Sequence, residues 1–181
     1  MKTYDAYIAF ILAFNLLIWA TPPLAMSQNP LASTFYSLFG LTCHQLPERS
    51  FCLSASLSIG DCSDSFPYQF PVCSRDMAIY AAMLLGGLAM PFLYDVRSRK
   101  TPSIWILILA AVPVAMDGGT QLIGMRESTN ALRLFTGAII GFIIPFFLVP
   151  LVNDLLYVVS NRKKKDREEN RKKRIGERKN A

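Results

Sequence analysis

The chain has 181 residues, of which 52% are apolar types and only 18% are charged, below the quarter or so typical of soluble domains. Residues 161–181 hold 11 of the 19 basic side chains and 4 of the 13 acidic ones, so the tail is +7 and the first 160 residues are −1. A basic nucleic-acid-binding body is thereby excluded, and the long apolar runs exclude disorder. An all-α, polytopic membrane protein is expected: a four-span membrane domain over residues 1–160 and a basic tail over 161–181. No nucleic-acid partner is expected.

A bilayer core of ~30 Å needs about 20 helical residues. The first stretch that qualifies runs about Ala6 to Ala25. Asp5 spoils a positive leader region, and Pro22-Pro23-Leu24-Ala25-Met26 is a poor small-x-small cleavage site. A retained helix that stops at Pro22-Pro23 therefore reads better than a signal peptide. Residues 27–76 form a long loop. Within it Leu31 to Thr42 is amphipathic and too short to span, so it reads as an interfacial or re-entrant helix. Asn29-Pro30 and Ser33 or Thr34 supply its start signals. Residues 54–71, rich in Ser, Asp, Gly and Pro, read as irregular loop.

The second span runs about Met77 to Tyr94, the third about Ser103 to Gly124, and the fourth about Ala131 to Val159, long enough to tilt or project. Gly118-Gly119-Thr120 is a candidate local break in the third. Lys2, the Arg97-Arg99-Lys100 loop and the tail all belong on the cytoplasmic side. Both termini are then inside a cell membrane, and the 27–76 loop and the turn 125–130 face out. Gly137-Ala138-Ile139-Ile140-Gly141 lets another backbone approach, as does Gly86-Gly87. The partner helix is one from the same chain or, through Gly137 and Gly141, from a second copy. Pro91, Pro113, Pro145 and Pro150 predict kinks. Asn153 and Asp154 read as boundary residues. The tail reads as a solvated helical or disordered segment that enforces topology, with attraction to anionic headgroups diluted by its acidic residues.

All four cysteines, Cys43, Cys52, Cys62 and Cys73, fall in the outward loop, which suits disulfides in an oxidising compartment. Four cysteines allow three pairings; a local Cys52–Cys62 bridge would carry little strain. The sharper alternative is zinc. Cys43, His44, Cys73 and Asp76 offer thiolate, imidazole and carboxylate donors, although adjacent ligands such as Cys43 and His44 are awkward for one metal. His44 can instead cap the short helix.

Asp117 lies about 14 residues into the third span, so ~21 Å deep and ~9 Å short of the far edge of the core. A buried ionisable group there needs a partner, and Arg133 in the fourth span, at similar depth, is the expected one. Gln121 shares the Asp117 face at i+4. Arg126, Ser128 and Asn130 fill the connecting turn, and Thr136 follows Arg133. Arg49, Arg75, Arg126 and Arg133 all lie outside or near the outer boundary, where the charge rule disfavours them. They either hold a phosphate or carboxylate bidentately or close an ion-pair network with Glu48, Asp76, Asp117 and Glu127.

Cys43-His44-Gln45-Leu46-Pro47-Glu48-Arg49-Ser50-Phe51, Cys73-Ser74-Arg75 leading into Ile79-Tyr80, and Asp117-Gly118-Gly119-Thr120-Gln121 with Arg126, Ser128, Asn130, Arg133 and Thr136-Gly137 together resemble an uncharacterised family of small predicted membrane proteins from archaea and bacteria. The resemblance spans roughly residues 35–142. That family's pattern has a second cysteine three positions after Cys73; here that position is Asp76. The departure weakens a redox reading and leaves a metal in play, because aspartate also ligates. Cys52 and Cys62 lie outside the family pattern, which implies a local disulfide for that pair.

The leading functional expectation is a polar site at the outer leaflet that binds or processes an anionic lipid headgroup. Membrane lipids are then the expected partners. Arg49, Arg75, Arg126 and Arg133 would hold the anion with Gln45, Glu48, Gln121, Ser128 and Asn130 around it. His44 and Asp117 are the candidate base or metal ligand, and Arg133 is counted with them as a catalytic candidate. The alternative is a non-enzymatic scaffold or complex subunit with a structural polar network. A thiol oxidoreductase fits less well, for want of any CxxC, and transport is weaker still.

Overall fold

The structure is a computed structural model that describes residues 2–179, with side chains described through Arg167. Helix α1 (Lys2–Met26) is followed by the short α2 (Leu31–Gly40), a single 3-10 turn (Pro47–Arg49), and strands β1 (Phe51–Leu53), β2 (Ile59–Asp61) and β3 (Tyr68–Gln69). Helices α3 (Ser74–Leu93), α4 (Ile104–Leu122) and α5 (Asn130–Lys179) complete the chain. Among the described residues, α1, α3, α4 and α5 are the four helices long and apolar enough to cross a membrane. Of the apolar window of α4 only 11% is buried; Trp105, Leu109, Met116 and Leu122 are exposed on it. A surface that apolar is stable against lipid tails, not water.

Helices α3 and α5 pack most intimately, and small residues allow it. A Cβ on Gly137 would stand 2.6 Å from the Arg75 carbonyl oxygen, and one on Gly141 or Gly86 would strike the carbonyl of Ile79 or Phe142. The Gly137/Gly141 stripe is thus occupied by α3 of the same chain. Helix α1 is tied to α3 by polar groups reaching spare carbonyl lone pairs. Asn15 Nδ2 donates to Tyr80 O (3.0 Å), Tyr7 Oη to Met83 O (2.9 Å) and Tyr4 Oη to Gly87 O (3.1 Å). Two apolar clusters fill the interior. One, with Ile18, Phe39, Phe70, Val72 and Met77, lies at the loop end. The other, with Tyr7, Ile11, Met90, Phe146 and Val149, lies at the end holding the N-terminus. The 95–102 connection lies at that second end too, where Asn153 Nδ2 donates to the carbonyls of Val96 and Ser98 at 3.0 Å.

Three expectations are corrected. Helix α1 does not stop at Pro22-Pro23; it runs to Met26, the lost donors and ring crowding of two interior prolines being offset by the packing of buried Thr21 and Pro22, and Ser27 N–H donates to Pro23 O at 3.0 Å. Gly118-Gly119-Thr120 does not break α4. The helix ends after them in a Schellman closure: Met125 N–H donates to Thr120 O (3.0 Å) and Gly124 N–H to Gln121 O (3.1 Å), with Gly124 at φ +71°. Residues 54–71 are not wholly irregular. The antiparallel sheet has order β2-β1-β3, with Cys52 opposite both Gly60 and Gln69, and the Cys52–Cys62 disulfide staples it. Strands of two or three residues are too short to show alternation. Helix α5 continues through the tail as far as Lys179; the side chains expected there to meet headgroups lie, beyond Arg167, outside the described residues.

Candidate functional site

One turn of helix organises the loop end of the bundle. Residues Cys73 to Asp76 open α3, with Cys73 at the N-cap, and successive side chains point about 100° apart. They feed three different clusters.

Arg75 feeds the first. Its guanidinium bonds the carboxylate of Asp117 on α4, which is 2% exposed. Arg126 Nη2 takes the other oxygen at 3.0 Å. Arg126 Nε also reaches Thr120 Oγ1 at 3.2 Å. The expected Asp117–Arg133 pair is therefore not formed. Arg75 wins because two missing side chains clear its route. A Cβ on Gly118 would meet its Nη1 at 3.2 Å, and one on Gly137 its Cγ at 3.3 Å. Gln121 makes no hydrogen bond to this cluster among the described residues.

Ser74 feeds the second. Its hydroxyl, fully buried, lies 3.1 Å from Arg49 O and 2.8 Å from Asn130 Oδ1 and can donate to either. Asn130 Nδ2 donates to Asp61 Oδ1 (2.6 Å) and Ser50 O (3.4 Å), so it joins α5 to the loop. Beside it lies Arg133, 4% exposed. Arg133 Nη1 donates to Asn130 Oδ1 (3.2 Å) and Glu48 O (3.4 Å). Among the described residues Arg133 has no carboxylate within 4.0 Å. Arg49, Arg75 and, with opposite sign, Asp117 all lie within electrostatic range of it.

Cys73 and Asp76 feed the third. Cys73 Sγ donates to Asp76 Oδ2 at 3.3 Å, and Cys43 Sγ accepts the Cys73 backbone N–H at 3.2 Å. The ligating atoms of Cys43, Cys73 and Asp76 all lie within 4.8 Å of one another. A hydrogen bond from the Cys73 thiol, with backbone N–H bonds from Gln45 and Cys73, holds the Cys43 thiol down at about 6 against the opposing effect of burial. The same hydrogen bond, burial and the Asp76 charge push Cys73 up. His44 is exposed and stands outside the cluster. Neighbouring residues in non-helical chain point apart, so Cys43 turns in and His44 out.

Gln45, expected to touch a ligand, is a brace. At φ +52° it donates to Tyr36 O (2.7 Å) and Pro71 O (3.0 Å), and its own carbonyl accepts from Gln69 Nε2 (2.7 Å). Glu48 is exposed and contributes its carbonyl oxygen. Sequence reasoning gave no site role to Ser74, Ser50, Asp61 or Gln69. Ser50 and Ser74 had a signal, since both stand in the blocks that carry the family resemblance; Asp61 and Gln69 depend on a sheet that leaves no pattern.

The matched segment of the comparisons contains all three clusters. Residues 43–147 match a family described as predicted membrane proteins. An uncharacterized protein of Methanocaldococcus jannaschii is 35% identical over 162 residues, covering 86% of this chain and 96% of that protein. An uncharacterized protein of Methanothermobacter thermautotrophicus is 35% identical over 99 residues, 55% of this chain and 77% of that protein. No solved structure matches. With more than half its length matched, and a relative aligned nearly end to end, the chain belongs to the DUF2085 family of predicted membrane proteins.

Proposed function

We propose that the loop end of the bundle faces outward from the cell membrane, with both termini cytoplasmic, and binds the anionic headgroup of a membrane lipid. The observation that carries this reading is Arg133: a guanidinium 4% exposed with no carboxylate among the described residues. A buried charge left without a counterion is costly, and a phosphate or carboxylate held bidentately supplies one. Arg49 stands within electrostatic range to help. An apolar cavity of about 280 Å³ adjoins this end, lined by Trp19, Phe51, Met77, Ala78, Ala81 and Leu134. Leu134 follows Arg133 in sequence and Ala78 lies one turn from Ser74, and an apolar cavity at this end supports the reading of a lipid chain beside the headgroup. The geometry favours binding over processing. Asp117 is engaged by two guanidiniums, which removes it as a base, and His44 stands apart.

The test is calorimetric titration of the full chain in neutral detergent. Short-chain phosphatidic acid should bind, phosphatidylcholine of equal chain length should not, and inorganic phosphate should bind weakly. Arg133→Met should abolish the phosphatidic acid signal; equal affinity in that variant would sink the reading. Equal affinity for inorganic phosphate and phosphatidic acid would make the ligand a free anion and remove the lipid.

A second reading, a scaffold or complex subunit, draws on the closed Asp117 cluster and the disulfide-stapled sheet. It predicts no heat from any of these ligands.

A further inference from the structure

We propose that Cys43, Cys73 and Asp76 form a three-ligand centre for a zinc-class divalent cation, with a fourth position left open. The inference does not rest on the lipid reading, because it uses neither Arg133 nor Arg49.

The donor atoms are already placed. Cys73 at the N-cap and Asp76 three residues on share the N-terminal rim of α3. Their 3.3 Å Sγ–Oδ2 separation is close to the roughly 3.5 Å edge of a tetrahedron with metal–sulfur and metal–oxygen bonds of about 2.3 and 2.0 Å. Cys43 comes from the other side, after α2, and the braced turn at Gln45 fixes its approach. The ring of supporting groups is also of the right kind. The backbone N–H of Cys73 donates to Cys43 Sγ at 3.2 Å, and such outer bonds orient and tune metal-bound thiolates.

The cluster is short of positive charge. The Cys73 thiol donates to Asp76 Oδ2 at 3.3 Å, and Arg49, Arg75, Arg126 and Arg133 bond none of the three residues among those described. A divalent cation would displace that proton and neutralise the donors together. Two thiolates with one carboxylate select zinc or a related late first-row cation over magnesium or calcium. A simple disulfide would leave the aimed carboxylate unexplained. Three protein ligands leave the fourth corner to water or an anion, the arrangement of catalytic rather than structural zinc. His44, exposed, is not the fourth ligand.

The test uses the full chain purified without chelator. Elemental analysis should find stoichiometric zinc. Exchange with cobalt(II) should give near-ultraviolet thiolate charge-transfer bands with the visible envelope of four-coordinate cobalt. The double variant Cys43→Ser with Cys73→Ser should lose both signals while keeping the Cys52–Cys62 bridge by mass spectrometry. Should that variant fail to fold, Asp76→Asn decides: cobalt affinity should fall by more than about tenfold, and an unchanged affinity would overturn the three-ligand assignment. A metal-free chain whose Cys43 and Cys73 alkylate freely would overturn the proposal, as would a peptide map linking the two by a disulfide. Retained lipid binding in a metal-free chain would sink this inference alone; stoichiometric zinc without lipid binding would sink only the headgroup reading.

Discussion

Asp117 and Arg133 are both buried at the loop end, on neighbouring helices, and only one of them is neutralised. Asp117 is 2% exposed and takes guanidiniums from Arg75 and Arg126. Arg133 is 4% exposed and among the described residues makes only neutral hydrogen bonds, to an amide oxygen and a backbone carbonyl. The first arrangement joins α3, α4 and the turn beyond it, as a structural lock would. The second leaves a full charge unpaired in a place where charge is expensive. A protein that needed only a lock could have used an apolar side chain at position 133. The contrast separates what holds the bundle together from what a ligand would complete.

That contrast can be broken most severely at Gly137→Leu. Its side chain would collide with the Arg75 carbonyl and stem, so more than about 4 kcal/mol should be lost, read as a collapse of the folded fraction in detergent. Next comes Asp117→Asn, which strands the largely buried Arg75. About 3 kcal/mol should go, seen as a lower midpoint in a denaturation series, while Arg133 chemistry survives in whatever remains folded. Removing the disulfide with Cys52→Ala and Cys62→Ala should cost about 2–3 kcal/mol. It sharpens the comparison, because the loosened loop carries Arg49 and the Glu48 carbonyl: anion binding should weaken while the Asp117 lock persists. The smallest effect belongs to Arg126→Gln. Arg126 is 46% exposed, and its pair with Asp117 should be worth under about 1 kcal/mol, a small shift in melting temperature with no change in anion affinity.

The four spans were legible because a membrane imposes length and hydropathy on each segment independently. The glycines of α3 and α5 were legible as packing aids, since a missing Cβ has few other uses at helical spacing, although which helix they receive is a matter of tertiary arrangement. The polar residues of the site were legible as a set, and their pairing was not. Sequence adjacency makes α5 the natural source of a partner for Asp117, and α4 does pack on α5. Yet the partner comes from α3, whose backbone scarcely meets α4, because the long Arg75 side chain spans the gap past Gly118. The sheet escaped because its strands are two or three residues long and depend on the disulfide and the Gln69 and Ser50 hydrogen bonds more than on any local pattern. Pro22 and Pro23 misled in the opposite direction: a strong local signal was overridden by a helix already formed and able to continue.

The most direct test of the claim that Arg133 awaits an anion is a paired thermal melt of the wild-type chain and Arg133→Met, each with and without short-chain phosphatidic acid. A ligand that binds only the folded state raises the melting temperature, and replacing an unpaired buried charge by an apolar side chain removes an uncompensated desolvation cost. The account predicts a ligand-dependent rise in the wild type, and in the variant an equal or higher starting temperature with no further rise. A variant that melts well below the wild type, or that gains the same increment from the lipid, would contradict it.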